Sequence, residues 1–256
     1  MAHSDSRKVG LARALSKFGY CSRSQATALV RAGRVTLNGV CRRNPETPVR
    51  MEHDLIAVDG RPIQPAKNVY LLMNKPRGLV TTASDEKGRE TVYSLFSDRG
   101  ESLPWVAPVG RLDKASEGLL LLTNDSEWGA RVADPAIHLT KTYHVQISAI
   151  ADEPITRAIE RGIKVEDGEH LRASHCRLLR SGEKNCWLEI ALDEGKNRQI
   201  RRMLAALELE VLRLVRVSIG TLQLGTLPKG AYRPLTPQEK TALDRAMEES
   251  RSRARR

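Results

Sequence analysis

Pro108-Val109-Gly110-Arg111-Leu112-Asp113-Lys114-Ala115-Ser116-Glu117-Gly118-Leu119-Leu120-Leu121-Leu122 joins a charged loop to an apolar run. The leucines fall far short of the roughly 18 apolar residues a membrane span needs and suit a buried strand. Asp113 stands ahead of that strand, between Gly110 and Gly118, with Arg111 two positions earlier. Read from its chemistry alone, this acid fits a turn or capping residue, a frequent use of aspartate. It also fits a carboxylate at a pocket floor, kept ionised by a nearby cation. Beyond the run, Asn124 or Asp125 is placed to cap a helix through Trp128 and Val132.

Working outward, residues 69–73 are a short apolar run that ends in Asn74-Lys75-Pro76-Arg77-Gly78, a loop able to present Lys75 and Arg77 to a ligand. In Lys141-Thr142-Tyr143-His144-Val145-Gln146-Ile147 the side chains alternate, with Tyr143, Val145 and Ile147 on one face and His144 on the opposite, surface face. On that pattern Tyr143 is most simply a core aromatic. Residues 186–192 form another strand and lead into Glu194-Gly195-Lys196-Asn197-Arg198-Gln199-Ile200-Arg201-Arg202-Met203. Ile200, Met203, Leu204 and Leu207 have helical spacing, so Arg198, Arg201 and Arg202 fall in the first turns of a helix. Cations there oppose the helix dipole, a cost that a phosphate or a buried carboxylate would explain. Strands continue over 211–217 and near 219–224, and helices are predicted over 152–162 and 236–250. The mixture predicts an α+β domain over 67–246: a mostly antiparallel mixed sheet with flanking helices. Residues 247–256 read as a basic, disordered tail.

The first quarter of the chain differs. Of 42 Lys+Arg and 31 Asp+Glu, residues 1–65 carry 11 and 5, so more than half of the net +11 sits there. Leu11, Leu15 and Phe18 make one helical face, and Gly19 follows as a stop. Ser22, with Gln25 three residues on, has the capping-box pattern of a second helix, for which Gly33 is the stop. Asn38-Gly39 between β-formers is a strong hairpin signal. Arg13, Lys17, Arg23, Arg31 and Arg34 decorate this helix–helix–hairpin unit, with Arg42 and Arg43 after it, as a solvated basic face or as a surface that tracks a phosphate backbone. Two prolines in residues 59–67 predict an extended connector. With 4% aromatic residues, binding would rest on phosphates and shape more than on stacked bases.

Residues 11–40, with Ser22-Arg23 opening the second helix and Ala32-Gly33-Arg34-Val35-Thr36-Leu37-Asn38-Gly39 closing it, resemble an S4 RNA-binding domain, here taken as 7–62. Asn74-Lys75-Pro76-Arg77-Gly78, Gly110-Arg111-Leu112-Asp113 with Gly118-Leu119-Leu120, Lys141-Thr142-Tyr143 and the 194–203 stretch occur in the order found in pseudouridine synthases. Together they resemble the S4-bearing ribosomal-RNA branch, the RsuA/RluB/RluE/RluF family. The resemblance implies isomerisation of a uridine in folded RNA without cofactor or metal. It implies Asp113 as the essential carboxylate, Tyr143 stacked on the flipped base and positioned to help remove the C5 proton, and Arg201 as the cation paired with Asp113. Arg111, Lys75, Arg77, Lys141 and Arg198 would contact RNA, as would the basic residues of the S4 unit. Ser116-Glu117 depart from some relatives, which bears on subtype; the catalytic part looks most like the enzymes of 23S, large-subunit RNA, over those of 16S RNA.

Other classes fit less well. A non-catalytic RNA-binding or ribosome-assembly factor would be marked by loss of Asp113, Tyr143 or Arg201, and all three are present. A glycosidase-like hydrolase needs a second carboxylate, and none stands at a motif position. The four cysteines include no C-x-x-C pair, and His170, His175 and Cys176, the nearest approach to a cluster, lack a second ligand pair, so no metal site is expected. No apolar core follows the N-terminal charges, so a secretory signal is not expected. The expected setting is a cytoplasmic monomer acting on ribosomal RNA or a pre-ribosomal subunit, with no membrane partner.

Overall fold

The computed structural model describes residues 8–83, 85, 87–96 and 103–253. The chain divides into two compact units. The first comprises the described residues up to Tyr70, together with 103–107 and 122–127.

That unit opens with β1 (Val9–Gly10) and α1 (Leu11–Lys17), followed by α2 (Arg23–Arg31). Leu11, Ala14, Leu15 and Phe18 are buried, as their spacing predicts. The capping box is formed: the Gln25 N–H donates to Ser22 Oγ at 3.2 Å, and the Ser22 N–H donates to Gln25 Oε1 at 3.0 Å. Both helices end on a left-handed glycine. At the second, the Gly33 N–H donates to the Val30 carbonyl and the Arg34 N–H to that of Leu29, so otherwise orphaned carbonyls are satisfied.

Next come β2 (Val35–Leu37) and β3 (Val40–Cys41), joined by Asn38-Gly39 with φ of 52° and 80°, then β4 (Pro48–Val49), which pairs with β1. β5 (Ile56–Val58) and β6 (Arg61–Ile63) complete a sheet ordered β3-β2-β5-β6. β6 corrects the extended connector expected from 59: Asp59 and Gly60, at φ of 49° and 77°, form a second hairpin turn. Pro62 is tolerated because β6 lies at the sheet edge, where a missing N–H costs no ladder bond.

The second unit contains most or all of β7 (Tyr70–Lys75), β8 (Ala107–Val109), β9 (Glu117–Thr123), α3 (Ser126–Ala133), β10 (Lys141–Ile147), α4 (Glu153–Arg161), β11 (Ile163–Lys164) and β12 (His170–Leu171). It continues with β13 (His175–Ser181), β14 (Cys186–Leu192), α5 (Gln199–Ala205), β15 (Val211–Ile219), β16 (Leu222–Gln223), β17 (Tyr232–Pro234) and α6 (Pro237–Arg253). The main path of its sheet runs β13-β14-β10-β15-β9-β7-β17. β10 pairs antiparallel with β14 and β15, whereas β15 meets β9 in parallel, so the α+β fold with a mixed sheet is as expected. The parallel contact needs Gly118: at φ of 100°, a Cβ there would lie 2.3 Å from the Arg216 carbonyl oxygen.

Ile159 of α4 and Ile200, Met203 and Leu204 of α5 pack with Val145, Ile147, Leu188 and Ile190 of the sheet into one core. α6 runs into the stretch read as a disordered tail. Leu243 and Met247 are buried, and the Ser252 hydroxyl bonds to the Glu248 carbonyl, so an anchored helix propagates through the basic residues to Arg253. Residues 254–256 of the expected tail lie outside the described residues. Asn124 does not cap α3. Its side chain accepts from the Val69 N–H at 2.7 Å and donates to the Lys67 carbonyl at 2.9 Å, which leaves Asp125 just before the helix.

Candidate active site

Asp113 is set by its loop rather than by a regular element. The Ser116 N–H donates to the Asp113 carbonyl at 3.0 Å, closing the turn that the sequence suggests. Beneath the turn lies Lys75, completely buried at the end of β7. Its Nζ donates to the carbonyls of Asp113 (3.2 Å), Ser116 (2.9 Å) and Pro76 (3.0 Å). Burial pulls this ammonium from its ordinary value down to about 8, with Glu117 and Asp113 opposing the fall. The sequence reading has Lys75 contact RNA; the structure instead encloses it, and its three donors pin the backbone of the turn that carries Asp113.

The Asp113 carboxylate is left 31% exposed and faces a cavity of about 630 Å³, within the usual range for a ligand site. Lys141, Tyr143, Arg198, Arg201 and Arg216 share its wall with Asp113. Six lining cations face two lining acids, which suits an anionic backbone entering from solvent. Arg111 lines the cavity as an exposed side chain, and Arg77 is exposed and close enough for its charge to act on Arg201.

Among the described residues the cation paired with the Asp113 carboxylate is Arg198, whose Nη1 lies 3.6 Å from Oδ2. Arg201, the partner expected from the sequence, instead donates from Nη2 to the Ala115 carbonyl at 3.2 Å. Its Nε is buried without a hydrogen-bond partner among the described residues. Burial and the charge of Arg198 lower the Arg201 pKa, and the field of Asp113 opposes them. Arg198 reaches the acid because it sits at φ of 48°, just outside α5, where its side chain is not carried around by the helix. The third cation of that turn, Arg202, is held by Asp167 (2.6 Å) and Glu169 (2.8 Å). Carboxylates therefore explain two of the three cations that oppose the dipole.

Tyr143 packs partly against the core, yet it also lines the cavity. Its register partner across β15 is Arg216. Arg216 is only 5% exposed; its Nε donates to the Leu119 carbonyl at 2.8 Å, while its Nη2 is buried with no partner among the described residues. Sequence reasoning missed this residue. Strand alternation carried across from Tyr143 would have put it on the same face, but register between strands so distant is not visible in a single sequence. Burial, followed by the charge of Arg216, lowers the Lys141 pKa.

In the first unit, Arg13, Arg23 and Arg31 are exposed and make no ion pair among the described residues. Lys17 is paired with Glu127 at 3.0 Å, and Arg34 makes a two-pronged contact with Asp59 at 2.9 and 2.5 Å, so these two are not free cations. All four cysteines are free, and among the described residues no three His, Cys, Asp or Glu groups gather as a metal site would require.

An acid on a pinned loop, an aromatic and a cationic wall around one cavity suit chemistry on a displaced nucleotide. The family described as RNA pseudouridylate synthase matches residues 69–206, and the S4 domain matches residues 9–56. The chain belongs to the RNA pseudouridylate synthase family. This synthase is 36% identical over 241 residues to an uncharacterized RNA pseudouridine synthase of Aquifex aeolicus (strain VF5), covering 94% of this chain and 95% of that one. It is 35% identical over 232 residues to the ribosomal large subunit pseudouridine synthase B of Bacillus subtilis (strain 168), covering 90% and 93%. A solved structure described as a pseudouridylate synthase aligns with a TM-score of 0.62 at 30% identity, over 92% of this synthase and 99% of that chain. The enzyme is therefore an isomerase with an N-terminal S4 domain, and its substrate is RNA.

Proposed function

We propose that this synthase converts one specific uridine of 23S ribosomal RNA, rather than 16S, to pseudouridine in the cytoplasm, with Asp113 as the essential carboxylate. The observation that carries the reading is the convergence of Asp113, Tyr143 and a cationic wall on one cavity. The large-subunit choice draws support from the Bacillus subtilis relative. Uridine and pseudouridine are isomers, so the reaction takes up no net atoms or electrons. The base is detached from C1′, turned, and rejoined through C5. A stacked uridine hides both atoms, so it must be extruded at a cost of a few kcal/mol, roughly. Arg111 and Arg198 at the cavity, with Arg77 nearby, would hold the phosphates on either side of the displaced nucleotide, and the exposed arginines of the S4 domain would give a second grip. Arg198 faces the Asp113 carboxylate in this scheme, Arg201 adds positive charge beside it, and Tyr143 lies against the uracil.

The test is tritium release from ribosomal RNA labelled at uridine C5, using free 23S RNA, free 16S RNA and partly assembled subunits. Wild-type enzyme should release tritium from the large-subunit substrates. Asp113→Asn should release none while its RNA affinity stays within a few-fold. Turnover by Asp113→Asn would remove the acid from the chemistry, and release from 16S RNA alone would overturn the large-subunit choice.

A further inference from the structure

Arg216 is a buried cavity cation that the scheme above leaves unused. Its guanidinium is buried, its Nε is satisfied by the Leu119 carbonyl, and its Nη2 has no partner among the described residues. A buried donor left unpaired costs stability, so such a group signals an acceptor supplied from outside. The sheet order shows where that acceptor would be. β15, which carries Arg216, lies between β10, which carries Tyr143, and β9, into which the Asp113 loop runs. A nucleotide held between Asp113 and Tyr143 therefore lies over Arg216. The phosphates of that nucleotide stay with the exposed cations Arg111 and Arg198, whereas the part that reaches a nine-tenths buried guanidinium is the base.

We propose that Arg216 is a further catalytic residue, whose Nη2 donates a hydrogen bond to a carbonyl oxygen of the flipped uracil and holds the base while it is detached. The inference rests on the reading of this cavity as the site of uridine isomerisation. When the C1′–N1 bond breaks, its electron pair leaves with the base, and the negative charge spreads from N1 onto O2 and O4. A buried guanidinium stabilises that anion more than it stabilises neutral uracil, and so favours the transition state over the ground state. The C5–C1′ bond then forms, C5 gives up its proton and N1 takes one up. An O4 contact also discriminates: cytosine offers an amino donor at that position, which would face Nη2 with no acceptor between them.

The site modified by wild-type enzyme is first mapped, and an RNA hairpin spanning it is made with uridine, 2-thiouridine or 4-thiouridine at that one position. Sulfur is a poorer acceptor than oxygen. Single-turnover conversion should be slower with one of the two thio-RNAs in wild type, and that penalty should shrink roughly 10-fold or more in Arg216→Gln. On the unmodified hairpin, Arg216→Gln should convert roughly 10- to 100-fold more slowly, with RNA affinity held within a few-fold. If the glutamine variant does not fold, Arg216→Lys is measured in the same way, since lysine keeps the charge but cannot serve both Leu119 and the base. Equal thio-penalties in wild type and variant, for both oxygens, would overturn the role of Arg216 while leaving the isomerase intact. Failure of wild type to convert any ribosomal RNA would instead overturn the reading of the site, and this inference with it.

Discussion

Lys75→Met tests whether the buried ammonium is a clamp or an RNA contact. Methionine keeps the length and apolar stem of lysine and removes the three donors. The carbonyls of Pro76, Asp113 and Ser116 then lose their partner. Each bond to a charged group contributes about 1.5–3 kcal/mol. The cost of burying the ammonium offsets part of the sum, and its fall to about 8 reflects that cost. The net loss should be about 2–5 kcal/mol, the scale for removing one partner from a buried charged cluster. For a unit of this size that lowers Tm by roughly 5–15 °C. The pinned acid is released as well, and a shift of about 1 Å at a reacting group can cost about 100-fold in rate. Scanning calorimetry, tritium release and filter binding on the same preparations separate these effects. The clamp requires a large fall in Tm and kcat with RNA affinity unchanged. An unchanged Tm together with weakened RNA binding would refute it and restore Lys75 as an RNA ligand. The pH dependence gives a second reading. From about 8 to the ordinary value of 10.5 the unfolded chain keeps the Lys75 proton and the folded chain releases it. Wild-type stability should therefore rise across that window relative to Lys75→Met, and the gap between the two should widen.

Tyr143→Phe should bind RNA normally and lose most of its turnover; full tritium release would confine the hydroxyl to packing. Replacing Arg13, Arg23 and Arg31 together with glutamine should weaken binding and flatten the slope of log K against log salt by about 2–3. Adding Lys17→Gln and Arg34→Gln should change that slope little further, because both are already paired with acids. Gly118→Ala should express poorly or melt far below wild type, since its Cβ would meet the Arg216 backbone; a wild-type melting curve would argue against the close parallel contact of β9 and β15.

Local rules carry most of the legible fold. The capping box at Ser22, the stop at Gly33, the Asn38-Gly39 turn and the leucine strand are each decided within a few residues. Two local signals were in competition. Asp59-Gly60 is itself a hairpin pair, but the prolines beside it argue for a connector, and only the edge position of β6 lets both hold. Arginine-rich composition argues for a disordered tail, but Met247 continues the buried stripe of α6. At the site, motif order brings Asp113, Tyr143 and the α5 arginines together before any coordinates are known. It does not say which arginine faces the acid. That depends on the left-handed backbone at Arg198, a conformation arginine seldom adopts. Nor does it tell a buried lysine from an exposed one: Lys75 stands beside Arg77 in one loop motif, yet the first is wholly enclosed and the second exposed.

The insertion of β15 between β10 and β9 has a consequence for the order of synthesis. Val215 pairs with Glu117, roughly a hundred residues earlier in the chain. Pairings that distant form late, after closer neighbours have folded. The S4 unit has its four-stranded sheet by Ile63, long before β15 is made. The growing chain therefore carries the S4 sheet well before it carries a closed cavity around Asp113. The cavity wall that Arg216 and Ile219 supply is thus made long after the S4 sheet.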